Sequence, residues 1–301
     1  MIAARQIAFG KAAGKKEEPP AYWGLCFTAE EAGSTIKMNK TGSAPSVTLE
    51  TSFDCEMWEP FTVGETTITL PNVGDKVYFR AGEGGNTAMA SSANDCNNFS
   101  IITGRIAASG NIMSLLNGDS PGSIIATYCY YGMFYGCTAL VQAPELPATT
   151  LDTYCYADMF YGCTSLAQAP ELPATTLTRY CYIDMFYGCT ALVQAPELPA
   201  TTLATSCYYD MFYGCTALAQ APELPAPTLP RSCYANMFRD CINIDCIKCS
   251  FKAFATGVTS NWLSGVSFAG TFICPTALGT NETIRRGVSY CPEGWTVINK
   301  D

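Results

Sequence analysis

The feature that most constrains this chain is a 26-residue unit that occurs four times in succession. The full copies begin at Cys129, Cys155, Cys181 and Cys207, and each contains MFYGCT followed by QAPELPA. A fifth copy begins at Cys233 and keeps only the first half of the unit, CYANMFRDC. A unit this short cannot bury an apolar core alone, so the copies are expected to stack and share one.

The two halves of a copy predict different local structures. Cys129, Met133, Phe134 and Cys137 have the spacing of the buried face of a short helix. Residues 139–146 are too short and too rich in proline for a second helix and predict a short strand. The sequence therefore predicts a mixed α+β fold, in which a solenoid has one short helix and one short strand per copy.

The segments outside the copies predict further modules. Residues 22–103 alternate apolar and polar positions over short stretches separated by Gly, Pro and Asn, which favours a small β-sandwich. Four aromatic residues near the C-terminus are expected to cover the last copy. They are Trp262, Phe268, Phe272 and Trp295. The predicted division is an N-terminal arm at 1–21, the β-sandwich module at 22–103, a junction and N-cap at 104–128, the solenoid at 129–258 and a C-terminal cap at 259–301.

The first 21 residues carry four basic and two acidic side chains, on a chain whose net charge is −9. Two interpretations stay open, a loose terminus or an arm that becomes ordered against neighbouring subunits of an assembly. No apolar stretch of the length that a secretory signal peptide needs follows the basic residues. We expect localisation on a virion surface, or in an extracellular or cell-surface setting.

Composition excludes several chemistries. The chain has no histidine, so a Ser-His-Asp triad, a Cys-His pair and an imidazole base are impossible. The net charge of −9 would repel a phosphate backbone, so nucleic acid is not expected as a partner. No run of eighteen apolar residues occurs, so no membrane span is expected.

Cysteine is abundant, with 17 residues, and ten of these recur at two positions of the copies. Thiols at apolar positions usually act as small hydrophobic side chains, so we expect most of them to be reduced and buried. Cys246 and Cys249 form a CxxC pair that looks like half of a zinc site. Because the chain offers no second thiol pair at metal-site spacing and no histidine, neither a metal nor a cofactor is predicted.

The repeated pattern resembles a known family. MFxGCTxLxxAPELPATTL is similar to the BspA-type leucine-rich repeats common in gut Bacteroidales and their phages, with Cys137 and its equivalents at the motif's cysteine. The segments FTAEEAGSTIKM before the copies and CPEGWTV after them also look like the modules that flank such repeats. The resemblance covers roughly residues 22–299. It implies a leucine-rich-repeat architecture and a role in adhesion or host contact.

Three sets of positions are candidate binding residues. The first is a glutamate row that would favour a cation or a basic partner, or would simply extend into solvent. It consists of Glu145, Glu171, Glu197 and Glu223. The second is a tyrosine row that would offer rings to a sugar or a protein. It consists of Tyr135, Tyr161, Tyr187 and Tyr213. The third set varies between copies and is expected at the surface. It consists of Tyr131, Tyr209, Arg179 and Arg231.

These features favour a non-enzymatic binding or structural surface protein that contacts a protein or a glycan through many weak, repeated sites. The alternative is a carbohydrate-active enzyme on the solenoid scaffold, which needs two acids in different environments. The glutamate row supplies four similar ones. Partners are expected on a host or cell surface, with neighbouring assembly subunits reached through residues 1–21.

Overall fold

The computed structural model of the chain describes residues 6–7, 24–116, 123–124 and 126–300. Its regular elements are strands and two short 3₁₀ helices, Ile112–Leu115 and Thr276–Leu278. The strands are β1 (Gln6–Ile7), β2 (Cys26–Ala29), β3 (Ser34–Lys40), β4 (Leu49–Ser52), β5 (Glu59–Phe61), β6 (Thr67–Leu70), β7 (Lys76–Ala81), β8 (Ala90–Ser92), β9 (Asp95–Thr103), β10 (Ile106–Ser109), β11 (Leu140–Gln142), β12 (Cys246–Lys248), β13 (Thr271–Cys274) and β14 (Thr296–Asn299).

Two sheets in the first part of the chain pack against each other. One has five strands in the order β1-β6-β3-β9-β8, and the other has six in the order β11-β10-β2-β7-β4-β5. Burial alternates along β3, where Ile36 and Met38 point inward, as expected for a strand with one face in a core. Between the sheets, the ring of Phe99 lies 4.8 Å from Phe27 and 5.2 Å from Phe79.

The predicted N-terminal arm at 1–21 lies outside the described residues except for Gln6–Ile7. This pair forms β1, which runs parallel to β6 at Thr67 and Ile68. Contact of the arm with neighbouring subunits stays a prediction.

The first copy is seated directly on the two-sheet region. Its strand β11 adds to the six-stranded sheet beside β10, with Ile106 paired to Leu140. On the other sheet, the ring of Phe99 stacks on Phe134 at 5.6 Å. The carbonyl of Phe99 accepts the S–H of Cys137 at 3.2 Å. Phe99 thus stands where the phenylalanine of a preceding copy would stand.

The first half of each copy is not a helix, so this part of the predicted fold is wrong. Residues 128–137 form successive tight turns, because the backbone is left-handed at every fourth residue. The φ angle is 59° at Tyr128, 57° at Gly132 and 69° at Gly136. One such turn closes through the N–H of Tyr135, which donates to the carbonyl of Gly132 at 3.0 Å. Over a short stretch, a four-residue turn and a helix of 3.6 residues per turn bury the same positions.

The hydrogen bonds between copies use donors that a helix would keep for itself. The N–H groups of Tyr130 and Phe134 donate to the carbonyls of Cys155 and Met159 in the next copy, each at 2.9 Å. Equivalent bonds join the later copies. In an α-helix these N–H groups would bond four residues back along the chain. Stacking of copies and helix formation therefore compete for the same backbone N–H donors. In this chain these donors bond to the next copy.

The predicted strand in the second half of a copy forms only in the first copy, as β11. Later copies meet through isolated bridges, such as Gln168 with Gln194. The prolines that flank each glutamate remove the donors that a longer ladder needs. No sheet runs along the copies within the described residues. The mixed α+β leucine-rich-repeat solenoid, with a helix and a strand per copy, is therefore wrong.

We call residues 128–258 the repeat stack. Its interior consists of columns of identical side chains, and the predicted burial of the cysteine columns is confirmed. The tyrosine column that begins at Tyr130 is buried as well. Neighbouring rings of the phenylalanine column lie 5.4 to 5.6 Å apart. The column consists of Phe134, Phe160, Phe186, Phe212 and Phe238. In the column that begins at Cys137, each later cysteine donates its S–H to the phenylalanine carbonyl of the preceding copy.

The turn pattern continues past the boundary predicted at residue 258. Gly257, Asn261 and Gly265 have a left-handed backbone conformation. Each lies 25 residues after a left-handed residue of the fifth copy, and these are Ser232, Asn236 and Asp240. Strands β12, β13 and β14 form a parallel sheet and also begin 25 residues apart. The ring of Trp262 is buried beside Tyr234, whereas Phe268 is 97% exposed and does not cover the last copy as predicted.

The outer edge of the final strand is closed by side chains. Asn281 accepts from the N–H of Val297 at 2.7 Å and donates to its carbonyl at 3.4 Å. Arg286 holds this segment by donating to the carbonyls of Pro292 and Trp295 at 3.0 and 2.8 Å. Edge strands with unsatisfied backbone groups invite pairing with other chains. At Val297 those groups are already hydrogen-bonded.

No helix of the described residues is long and apolar enough to cross a membrane.

Candidate functional site

The glutamate row is exposed along one face of the repeat stack, at Glu145, Glu171, Glu197 and Glu223. Each glutamate is followed by a leucine that is buried in the interior. Because neighbouring side chains of an extended segment point to opposite sides, the buried leucine directs the glutamate outward. The local sequence PELP therefore fixes the direction of every carboxylate in the row.

Two clefts lie beside these glutamates. One cleft, of about 540 Å³, lies between the first two copies. Residues 142–147 of the first copy and 168–171 and 173 of the second copy line it. The other, of about 410 Å³, lies between the third and fourth copies and includes Glu197 and Glu223. Proline rings and alanines supply apolar walls, and glutamines and glutamates supply the polar groups.

A basic side chain already occupies the last position of the row. The Nζ of Lys248 lies 2.6 Å from a carboxylate oxygen of Glu223, and both side chains are about half exposed. Within the described part of the chain, no ion pair involves Glu145, Glu171 or Glu197. The row therefore has one carboxylate neutralised by the chain itself and three that face solvent.

The predicted tyrosine row exists, but its ring faces are turned toward one another. Tyr135, Tyr161, Tyr187 and Tyr213 stack with centroids 4.6 to 4.8 Å apart. Tyr135 is 48% exposed. At the other end, the guanidinium of Arg239 lies 5.1 Å from the centre of the Tyr213 ring. Ring edges and hydroxyls, rather than faces, are what the row offers to a ligand.

The variable positions do not form a common surface with the clefts. Tyr131 is half-buried and donates its hydroxyl hydrogen to Asp158, and Tyr209 accepts from the side-chain amide of Asn236 at 3.3 Å. Arg179 and Arg231 are exposed, and neither lines a cleft beside the glutamate row. The structure thus does not bring the predicted tyrosine, glutamate and variable residues together into one site.

A third row escaped the sequence analysis, because its residue type changes between copies. Asp158, Asp184 and Asp210 are half-buried and occupy the position held by Gly132 in the first copy and Asn236 in the fifth. All five residues are left-handed, with φ between 52° and 57°. Gly, Asn and Asp are the residues that tolerate this conformation best, so the mixed column was a usable signal.

The aspartate row has perturbed acidity. Burial, together with the smaller effect of the neighbouring Asp158 and Asp210 carboxyl groups, raises the pKa of Asp184 to about 7. Burial also raises the pKa of Asp158, against the hydrogen bond from Tyr131. For Asp210, burial raises the pKa, whereas Asn236 and Arg239 lower it.

The cysteines offer no reactive or metal-binding arrangement in the described residues. Burial raises the pKa of Cys137 to about 12 and that of Cys189 to about 12, so these thiols stay protonated. Cys246 is half-buried and Cys249 is buried, and both are free thiols. No group of three or more His, Cys, Asp or Glu side chains among the described residues could hold a metal ion.

Comparisons with protein-family models, with curated proteins and with solved structures found no match to this chain.

Proposed function

We propose that this chain is a non-enzymatic binding protein of a virion or cell surface, and that its glutamate row holds a basic protein partner. The observation that carries the proposal is the contact of Lys248 with Glu223, because it displays the interaction that the other three glutamates would make with a partner. The surface setting follows from the resemblance of the copies to BspA-type repeats.

The chemistry of the clefts suits a lysine- or arginine-bearing segment. Long basic side chains pack their methylene stems on apolar surface while the charged end reaches a polar group. Pro144 and Pro147 offer such a surface in the cleft that also contains Glu145 and Glu171. The repeat stack is also acidic, since residues 129–232 hold eight acidic and two basic side chains, a net charge of −6.

Repetition is what would make such weak contacts useful. A single exposed ion pair contributes only about 0.2 to 1 kcal/mol. Three glutamates at regular spacing can engage one extended partner together, and each later contact then forms within an existing complex. A partner with several basic residues would therefore bind much more tightly than one with a single lysine.

A protein partner suits the structure better than a glycan. Sugars are usually held on the open face of an aromatic ring, and the faces within the Tyr135 to Tyr213 row are stacked on each other at 4.6 to 4.8 Å. The carboxylates beside the proline clefts instead match cationic side chains.

The alternative, a carbohydrate-active enzyme, requires two carboxyl groups with separated pKa values beside a substrate cleft. The aspartates with raised pKa values line none of the three described clefts. No feature of the described residues favours the enzyme.

The test is binding of a fluorescein-labelled octalysine peptide, followed by fluorescence anisotropy at low and physiological salt. The variant Glu145→Gln/Glu171→Gln/Glu197→Gln removes the three unpaired carboxylates. We expect its affinity for the peptide to fall by about tenfold, since three exposed pairs together contribute about 1.5 kcal/mol. Binding should also weaken as salt rises.

The matched control is Glu30→Gln/Glu56→Gln/Glu65→Gln, which changes the net charge equally at exposed positions outside the repeat stack. This variant should bind octalysine as the unchanged chain does. An equal loss in both variants would mean that only the overall charge matters, and it would refute the glutamate row as the binding face.

A further inference from the structure

Three half-buried carboxyl groups lie one above another on hydrogen-bonded copies. The N–H of Asp158 donates to the carbonyl of Ile183 at 3.0 Å, and that of Asp184 donates to Tyr209 at 2.9 Å. The tyrosine rings three residues further along stack at 4.6 Å between these copies, which gives the spacing of adjacent turns on this side. Three acidic groups are therefore held close together by the backbone.

The backbone does not require these residues to be acidic. Gly132 and Asn236 adopt the same left-handed conformation in the first and fifth copies without carrying a charge. Asparagine would satisfy the conformation in the middle copies equally well. The three carboxyl groups thus add electrostatic repulsion that the fold could avoid.

The middle aspartate has the fewest compensating partners. Asp158 accepts from the hydroxyl of Tyr131, which belongs to the preceding copy. The residue equivalent to Tyr131 in the second copy is Ala157, so Asp184 receives no such hydroxyl. Its interactions with charged or titratable groups are with Asp158 and Asp210 on either side and with the tyrosines nearby. These tyrosines are Tyr131, Tyr161 and Tyr209.

Among the described residues, the basic side chain that interacts with the row lies beyond its last member. Arg239 interacts with Asp210 and also with Asp240, at 3.9 Å. At the other end, Cys96 of β9 interacts with Asp158. Within the part of the chain that the structure describes, Asp184 thus interacts with two carboxylates and with no cation.

We propose that the aspartate row makes the repeat stack responsive to pH, so that the copies hold together more firmly in mildly acidic than in neutral or alkaline solution. Protonation of Asp184 removes its repulsion with Asp158 and Asp210 and turns an acceptor into a donor for a neighbouring carboxylate.

The direction follows from linkage. The folded pKa of Asp184, about 7, lies above the value of about 3.9 in an unfolded chain. The stability gained from protonation is fully present below the unfolded value and is lost as pH rises through about 7. Asp54 and Asp95 behave oppositely, because hydrogen bonds lower their pKa values, so their effect appears only in stronger acid.

The absence of histidine makes this response measurable. Histidine usually dominates titration between about pH 5 and 8, and this chain has none. The thiols do not interfere, because burial raises the pKa values of the stacked cysteines well above that range.

The experiment compares melting temperatures of the full chain at about pH 5.5 and about pH 8. The unchanged chain should melt about 3 °C higher at the lower pH. The variant Asp184→Asn should melt, at both pH values, close to the higher melting temperature of the unchanged chain. The reason is that asparagine carries no charge at either pH, and Asn236 demonstrates that asparagine fits the position. The control Glu197→Gln removes an exposed carboxylate from the same copy and should keep the difference between the two pH values.

Amide hydrogen exchange locates the effect. The amides of Asp158, Asp184 and Asp210, which donate to the next copy, should become more protected at the lower pH relative to amides of β3 and β9, after correction for intrinsic exchange. An equal pH difference in Asp184→Asn and in the unchanged chain would overturn the proposal. A lower melting temperature at about pH 5.5 in the unchanged chain would do the same. Neither result would bear on octalysine binding, which tests the glutamate row separately.

Discussion

The two-sheet region and the repeat stack bury similar aromatic residues in different arrangements. In the sheets, Phe27 meets Phe79 and Phe99 edge-on, with interplanar angles of 89° and 69°. In the stack, Phe186 lies nearly parallel to both neighbouring rings of its column, at 6° and 5°. A sheet ring has unique surroundings, whereas a stack ring has copies of itself on both sides. Stability in the stack is therefore a matter of contacts between neighbouring copies.

The backbone shows the same contrast. The sheets are held by regular ladders, such as the pairing of β3 with β9. The stack is held by alternate N–H groups that leave tight turns and reach the next copy. A fault in the sheets disturbs one core, whereas a fault in the stack separates the copies above it from those below.

The largest effect should come from removing one ring in each region. Phe186→Ala and Phe79→Ala each delete a buried ring and should each cost about 4 kcal/mol. Phe186→Ala should also broaden or split the urea transition, because it interrupts coupling along the stack. Phe79→Ala should shift a single transition, as followed by circular dichroism and tryptophan fluorescence. A sharp single transition in Phe186→Ala would show that the copies are coupled by something other than the ring column.

A smaller effect is expected from single thiols. Cys189 is buried and its sulfur lies 3.1 Å from the carbonyl oxygen of Phe160, whereas the sulfur of Cys26 in the sheets lies 3.8 Å from the carbonyl oxygen of Phe27. Cys189→Ala should therefore cost about 2 kcal/mol and Cys26→Ala about 1 kcal/mol in urea unfolding. Cys246→Ala, at a half-exposed thiol, should change the unfolding free energy least. If Cys189→Ala and Cys26→Ala lowered the unfolding free energy equally, the S–H contact with the Phe160 carbonyl would not be a stabilising feature of the stack.

The smallest effect distinguishes two tyrosines of one column. The hydroxyl of Tyr130 donates to the carbonyl of Ile112 at 3.1 Å, at the junction with the sheets. Among the described residues, the hydroxyl of Tyr182 is buried and has no hydrogen-bond partner. Tyr130→Phe should cost about 1 kcal/mol, and Tyr182→Phe should be neutral or slightly stabilising, because no bond is lost. If Tyr182→Phe lowered the unfolding free energy, this would contradict the finding that the Tyr182 hydroxyl makes no hydrogen bond among the described residues.

Repetition made some of this predictable from the sequence. The buried cysteine, methionine, phenylalanine and Tyr130 columns follow from identical residues at a fixed period, since stacked copies must share their apolar face. The direction of the glutamates also follows, because a buried leucine comes next.

The local fold was not predictable from apolar spacing, because turns and a helix bury the same positions over one short segment. The stronger signal is the pair Gly132 and Gly136, or Asp158 and Gly162, four residues apart. Such residues tolerate left-handed φ and weaken a helix interior. The aspartate row was missed because its position holds glycine in the first copy and asparagine in the fifth, so the row is not marked by one identical residue. The continuation of the turn pattern through Asn261 was missed because the period shortens to 25 there and the side chains differ.

The contacts of Phe99 with the first copy have a consequence for how the number of copies can change during evolution. The near-identical middle copies are hydrogen-bonded to neighbouring copies, while different sequences finish the two ends. Gain or loss of one whole 26-residue unit by unequal recombination leaves both terminal contacts as they are. The length of the exposed acidic face can therefore be adjusted in fixed steps, without any redesign of the parts that begin and end it.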